Sequence, residues 1–308
     1  MSQLYKLVED YYSSYDFKNI RDETKSHYKY LLNVMLNTKV EGKPLCQYNY
    51  KTLPTRIAKI AYNDWCEKGI ATANHLLSVT RIIFNHGLRM EMCMINPFAN
   101  VRKRAADRRK VIWCREDVQK LLNAAYSDFS TRNIGLIAHM AYEWWQRLGD
   151  MRLLTWDAID FEARTVYIEQ SKRKAEVHLP IEEDLFEMLK QQEQDFGFQK
   201  YVAPRPNPVN GQYIPYSMYK LPLHGRKLMD DVGLSKDLRL SDLRRTGTTE
   251  MVEAGVGMAQ IMSVTGHANP SSVKPYLKNT LSSADSALTA RKTHGISIAS
   301  AAKESDIT

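Results

Sequence analysis

Apolar residues in the first hundred positions recur at helical spacing. Leu4, Leu7, Val8, Tyr11 and Tyr12 form one stripe, Tyr28, Leu31, Leu32, Met35 and Leu36 a second, and Ile57, Ile60, Ala61 and Trp65 a third. A fourth helix is predicted with Thr72 as its N-cap and Leu76, Leu77, Val79, Ile82, Ile83 and Phe84 on its apolar face, giving way at Asn96-Pro97. Such stripes are what the core of a small helical bundle needs. Beyond position 110 the pattern changes. Helices are predicted over about 115–126 and about 131–146. Residues 164–181 then alternate as strands do, with Val166 and Ile168 on one face, Val177, Leu179 and Ile181 on another such face, and the polar turn Ser171-Lys172-Arg173-Lys174 between them. Residues 196–224, rich in Pro, Gly and Tyr, read as loop with short strands. Helices resume near Asp242 and Gly257, and the stretch from Ser282 to Arg291 reads as a short terminal helix.

The length of 308 residues suggests two domains, each able to bury a core. The predicted divisions are a helical domain over 1–101, a linker over 102–110, a mixed helix-and-strand domain over 111–295 and a tail over 296–308. The formal net charge of +8 is unevenly placed. Residues 1–110 hold 19 Lys and Arg against 10 Asp and Glu, whereas residues 111–308 hold 24 against 25. The linker carries Arg102, Lys103, Arg104, Arg108, Arg109 and Lys110 with Asp107 as its one acid. A polyanion such as DNA is the natural partner of that charge, and a linker that crosses a DNA backbone would have this composition. A merely solvated hinge would have it too.

No apolar run is long enough to span a membrane, and Met1-Ser2-Gln3-Leu4 lacks the basic and apolar segments of a signal peptide. A cytoplasmic protein is therefore expected. Cys46, Cys66, Cys93 and Cys114 are too widely spaced for a metal pair and are read as reduced, mostly buried thiols.

Five separated features carry the candidate chemistry. They are Gln146-Arg147 with Asp150, Leu154 and Trp156 after it, the hairpin from Tyr167 to Lys172, Ser241-Asp242-Leu243-Arg244-Arg245, Thr265-Gly266-His267, and Tyr276 nine residues beyond that histidine. Each alone has an ordinary reading: a surface arginine, a solvated lysine, a helix cap, one tyrosine among 17. Their order and spacing together resemble the catalytic domain of the tyrosine recombinases, the family of the phage integrases. The resemblance implies a helical core-binding domain over 1–101, joined by the basic linker to a mixed catalytic domain. The fold would be mainly α with a small antiparallel sheet. It further implies that Arg147, Lys172, Arg244, His267 and Tyr276 are the catalytic residues, and that Arg102, Lys103, Arg104, Arg108 and Arg109 contact DNA.

Two positions depart from the family pattern. The residues before Arg147 usually include a Thr-Gly pair, and here they are Trp144-Trp145-Gln146. Both tryptophans read as core. The first histidine of the family's His-x-x-Arg is replaced by Ser241, which removes one proton donor or acceptor.

The residue types suit phosphodiester transfer. Charge develops on the non-bridging phosphate oxygens, and two arginines offer forked, permanent donors to them. A tyrosine needs cationic neighbours or a base to attack near neutral pH. A lysine can protonate the leaving 5′-oxygen, and a histidine can donate to the phosphate or align the tyrosine. The bond energy is retained in a 3′-phosphotyrosyl link, so neither ATP nor a metal or other cofactor is expected, and the chain has no P-loop motif. The implied function is site-specific recombination, integration or excision of a phage or mobile element. The implied partners are double-stranded recombination sites, a homotetramer on paired sites with the terminal helix exchanged between protomers, and accessory DNA-bending or directionality proteins. A resolvase of the Xer kind, an invertase or a type IB topoisomerase would use the same residues. Ser241 motivates a further alternative, a DNA-binding regulator weakened in catalysis.

Overall fold

The computed structural model describes residues 3–107, 109–172, 174–276, 285, 288–289 and 291–293. The chain divides into two compact units, 1–109 and 110–308.

The first unit is a helical bundle of α1 (Leu4–Ser13), α2 (Tyr15–Lys18), α3 (Asp22–Asn37), α4 (Thr55–Lys68) and α5 (Ile70–Arg89). The predicted stripes face its core, where Leu7, Leu32, Trp65, Leu77 and Phe84 are almost wholly buried. The Trp65 ring lies parallel to Phe98 at 6.0 Å. Its Nε1 donates to the Thr38 hydroxyl at 2.8 Å, which satisfies the one polar atom of the indole. The fourth helix begins at Ile70 rather than after Thr72, because Gly69 with φ 142° breaks the chain from α4. A two-residue hairpin, β1 (Lys39–Val40) with β2 (Lys43–Pro44), interrupts the helices. Its turn residues Glu41 and Gly42 both have positive φ, at 49° and 83°, the geometry that tight hairpins need. Arg81 is spent on structure. Its Nε donates to Phe98 O at 2.9 Å and its Nη2 to Ala99 O at 3.0 Å, which pins the segment after α5.

The second unit is built around α7 (Phe129–Glu143), in which every residue from Arg132 to Tyr142 is buried. A helix enclosed on all faces needs neighbours on all faces. They are α6 (Arg115–Tyr126), α8 (Leu148–Met151), α9 (Glu183–Phe196), α10 (Lys220–Asp231) and α11 (Leu243–Glu253). The sheet is antiparallel, β3 (Ile159–Asp160), β4 (Thr165–Glu169) and β5 (Glu176–Pro180), in that order. Val166 pairs with Leu179 and Ile168 with Val177 on the buried face, as the alternation predicts. The last helix described in full is α12 (Met258–Thr265). In this unit α8, β3, α9 and α10 escaped the sequence reading, as did α2 and the β1–β2 hairpin in the first. Residues 196–224 otherwise hold only the isolated bridges Thr155 with Tyr201 and Val209 with Gln212.

Of the helix predicted over 282–291, Asp285, Leu288, Thr289 and Arg291 are described and are helical; its other residues and the tail over 296–308 lie outside the described residues. Among the described residues no helix is long and apolar enough to cross a membrane. Cys66 and Cys93 are buried free thiols, whereas Cys46 is half-buried and Cys114 exposed.

Candidate active site

The chain leaves α7 through a left-handed residue. Trp145 has φ 53°, a region that costs a bulky side chain roughly 1–3 kcal/mol. Trp144 is buried in the core, while Trp145 is only half-buried. The turn sends Gln146 inward and leaves Arg147 at the start of α8. Gln146 is fully buried and its Nε2 donates to Trp144 O at 2.8 Å and Val264 O at 2.9 Å, tying the turn to α12. Arg147 Nη1 donates to Gln170 Oε1 at 2.7 Å and lies 3.7 Å from Asp150 Oδ2.

Gln170, where β4 runs into the hairpin loop, is the hub of the site. Its buried Nε2 donates to Gln146 Oε1 at 2.7 Å and to the Thr265 carbonyl at 2.8 Å. Gly266, which caps α12, has φ 67°, and a Cβ there would stand 2.4 Å from Gln170 Nε2. Only glycine meets both demands. One residue on, Ser171 N and its hydroxyl both donate to Asp150 Oδ1, the first at 3.0 Å. This fixes the stem from which Lys172 projects, exposed, at the hairpin end. Lys174, across the loop, is paired with Glu169.

Arg244 lies in the first turn of α11 and is buried. Its Nη2 donates to the Thr265 carbonyl at 2.8 Å and to His267 Nε2 at 3.2 Å. A guanidinium has no acceptor, so Nε2 of His267 is the accepting nitrogen. The Thr265 hydroxyl donates to Ile261 O at 2.5 Å, so its contact with His267 Nδ1 at 2.7 Å is the ring N–H donating to it. The histidine is held as the neutral tautomer with its proton on Nδ1. It would donate from Nε2 only after taking a second proton.

Tyr276 is half-buried and ends a tight turn, Lys274–Tyr276, with its N–H donating to Val273 O at 2.9 Å. Its ring centre is 6.2 Å from that of His267, and Arg245 Cζ lies 5.7 Å from the Tyr276 ring. The Arg245 charge is within the range of a cation–π contact. Ser241 is exposed on the short turn that leads into α11.

Arg147, Arg244 and His267 thus belong to one hydrogen-bonded network, with Tyr276 at its edge. Lys172 adjoins that network through Ser171, its neighbour in the chain. In the first unit, Lys103 Nζ donates to the Ser78 hydroxyl at 2.6 Å and Arg104 Nη2 to Asn63 Oδ1 at 2.9 Å. Arg102 is exposed and Arg109 half-buried, while Arg108 lies outside the described residues. Sequence reasoning gave no role to Gln146, Gln170 or Arg245, although each stands inside a motif it singled out. It could not have found the Thr265 carbonyl, because a backbone acceptor has no sequence signature.

The pattern of the phage integrase family matches residues 114–282, more than half of the chain. The chain belongs to that family. Its fold is that of lambda integrase, whose fragment solved as a dimer bound to a COC′ core site has a TM-score of 0.74 at 17% identity, covering 91% of this chain and 96% of that one. A lambda integrase tetramer bound to a Holliday junction gives 0.72 at 18% identity, over 90% and 78%. The Tn1549 transposon integrase in complex with circular intermediate DNA gives 0.72 at 15% identity, over 94% and 99%. No curated protein sequence matches the chain.

Proposed function

We propose that this tyrosine recombinase breaks and rejoins DNA at specific sites through a 3′-phosphotyrosyl intermediate, to integrate or excise a phage genome or mobile element. One observation carries the reading: two guanidiniums, Arg147 and Arg244, are tied through Gln170 and the Thr265 carbonyl into one rigid frame, and the Tyr276 ring stands beside His267 at its edge. In the proposed step the Tyr276 oxygen bonds to the scissile phosphorus as the bond from phosphorus to the 5′-oxygen breaks. The phenol gives up its proton to water, and Lys172 supplies one to the 5′-oxygen and regains it from solvent. Arg147 and Arg244 hold the non-bridging oxygens as charge builds on them. His267 keeps Arg244 aimed while neutral; protonated at Nε2, it would release Arg244 and become a donor itself. The reverse reaction with a new 5′-hydroxyl rejoins the strand, so no energy source is consumed.

Residues 1–101 serve in this reading as the core-binding domain and the cations of 102–110 contact the DNA backbone. The working assembly is a homotetramer on two double-stranded sites, in which residues 282–308 dock on a neighbouring protomer, with DNA-bending or directionality proteins as accessories. The protein acts in the cytoplasm, at the nucleoid. The test is incubation with nicked suicide substrates carrying candidate attachment sites, followed by denaturing electrophoresis. A covalent protein–DNA adduct supports the proposal. Tight binding without an adduct would make the chain a DNA-binding regulator, the reading that Ser241 favours.

A further inference from the structure

Trp145 makes the left-handed step of the turn with a bulky side chain, which adopts that backbone only at a cost. A left-handed residue is cheapest as glycine, and the tyrosine recombinases usually place a Thr-Gly pair just ahead of the arginine. Strain of this kind persists where the surroundings over-determine the residue, and the surroundings here are specific. The indole lies against Gly247 of α11. A Cβ on Gly247 would stand 2.5 Å from Trp145 Cδ1, 2.6 Å from its Nε1 and 2.9 Å from the Tyr142 carbonyl. The helix therefore approaches the turn as closely as only glycine permits. Arg244 sits three residues earlier on the same helix, and Arg147 two residues after the tryptophan. A second clamp lies alongside: the Tyr142 hydroxyl is 2.9 Å from each carboxylate oxygen of Glu250, joining the end of α7 to the next turns of α11.

We infer that Trp145 is a positioning residue, which sets the spacing between the turn carrying Arg147 and the helix carrying Arg244. The indole acts as a spacer pressed on Gly247, and a rigid helix carries any shift at Gly247 to Arg244. The inference rests on the proposed role of the two arginines as joint phosphate ligands. It concerns this chain's own departure from the family pattern, and it gives that departure a purpose: the ring replaces, by packing, the conformational freedom that the usual glycine supplies.

The test is a double-substitution cycle of Trp145→Gly, Gly247→Ala and both together, read by affinity for a single site, melting temperature and the single-turnover rate of adduct formation. Trp145→Gly removes both the strain and the spacer. It should leave affinity unchanged, with the melting temperature falling by no more than the lost packing of the ring accounts for, yet slow adduct formation by about ten- to a hundredfold, the scale for sub-ångström to ångström misplacement of reacting groups. Gly247→Ala should slow it comparably in the parent chain, because the new methyl meets the indole, and should cost nothing further once Trp145 is glycine. Trp145→Phe, which keeps a ring over Gly247, should retain more of the rate than Trp145→Gly. If Trp145→Gly does not fold, the same cycle is run with Trp145→Asn, which tolerates the left-handed backbone and lacks the ring. An unchanged rate in Trp145→Gly, or strictly additive effects of the two substitutions, would overturn the inference while leaving the proposed function intact. A parent chain that forms no adduct would overturn both.

Discussion

Gln170 and Arg244 donate to the same oxygen, the carbonyl of Thr265, each at 2.8 Å. That carbonyl lies at the C-terminal end of α12, where helix carbonyls lack intrahelical partners and carry partial negative charge. The end of the helix is thus the anchor of the site. It fixes the guanidinium of Arg244 directly and that of Arg147 through Gln170. Neither arginine depends on substrate for its direction, which is the preorganisation that transition-state stabilisation requires.

Gln170→Ala is therefore expected to uncouple the arginines. It leaves the buried Gln146 Oε1 without its donor, a loss of about 1–3 kcal/mol in stability for an unsatisfied buried polar group. Adduct formation should fall more than binding does. Chemical denaturation and single-turnover cleavage check this, and a variant that cleaves normally would remove Gln170 from the frame.

The sequence made the elements with clean periodicity legible. The hairpin is one, since Val166, Ile168, Val177 and Leu179 alternate without exception. The helix α10 was hidden because Pro222 and Gly225 read as loop punctuation. Pro222 sits in the first turn, where no intrahelical donor is lost, and Gly225 is there because a Cβ would stand 2.3 Å from Leu240. The charged residues of the site were visible as types in an order. The frame that aims them was not, because it is made of neutral glutamines, one carbonyl and a left-handed tryptophan.

Ser241→Ala should slow cleavage by no more than about tenfold, the scale of one neutral hydrogen bond of roughly 0.5–1.5 kcal/mol. Arg244→Ala should cost about a hundredfold or more, as expected for a charged transition-state donor. Because Ser241 is exposed, Ser241→His should be accommodated and should cleave at least as fast. Suicide-substrate rates from pH ~6 to ~9 bracket the imidazole titration. An alanine variant as damaged as Arg244→Ala would give the serine a central role that this account denies it.

Binding should weaken steeply with salt, with a log–log slope of about −0.9 per phosphate neutralised. Lys103 and Arg104 bond to the neutral side chains Ser78 and Asn63, so their charges stay available to a phosphate. Neutralising Arg102, Lys103, Arg104, Arg108 and Arg109 together should flatten the slope. An unchanged slope would place the backbone contacts elsewhere.

Burial pushes His139 down to about 4, with its Nδ1 2.8 Å from the Tyr126 hydroxyl. The unfolded chain binds this proton near pH ~6.5. The folded chain thus holds fewer protons between these values. Its contribution to stability is present above about pH 6.5 and is lost as pH falls toward about 4. Glu143, pushed up by burial, acts in the opposite sense. His139→Gln should therefore make the acid-side decline in melting temperature shallower between pH ~6.5 and ~4. Superimposable pH profiles would contradict the assignment.

The central claim is that the Tyr276 oxygen is the nucleophile. Tyr276→Phe removes only that oxygen and keeps the ring that faces His267 and Arg245. The decisive measurement is peptide mapping by mass spectrometry of the covalent adduct trapped on a suicide substrate, with the parent chain and the variant side by side. The account predicts a nucleotide-modified peptide carrying Tyr276 from the parent, and from Tyr276→Phe normal DNA binding with no adduct at all. An adduct that survives the substitution, or a modified peptide lacking Tyr276, would contradict it.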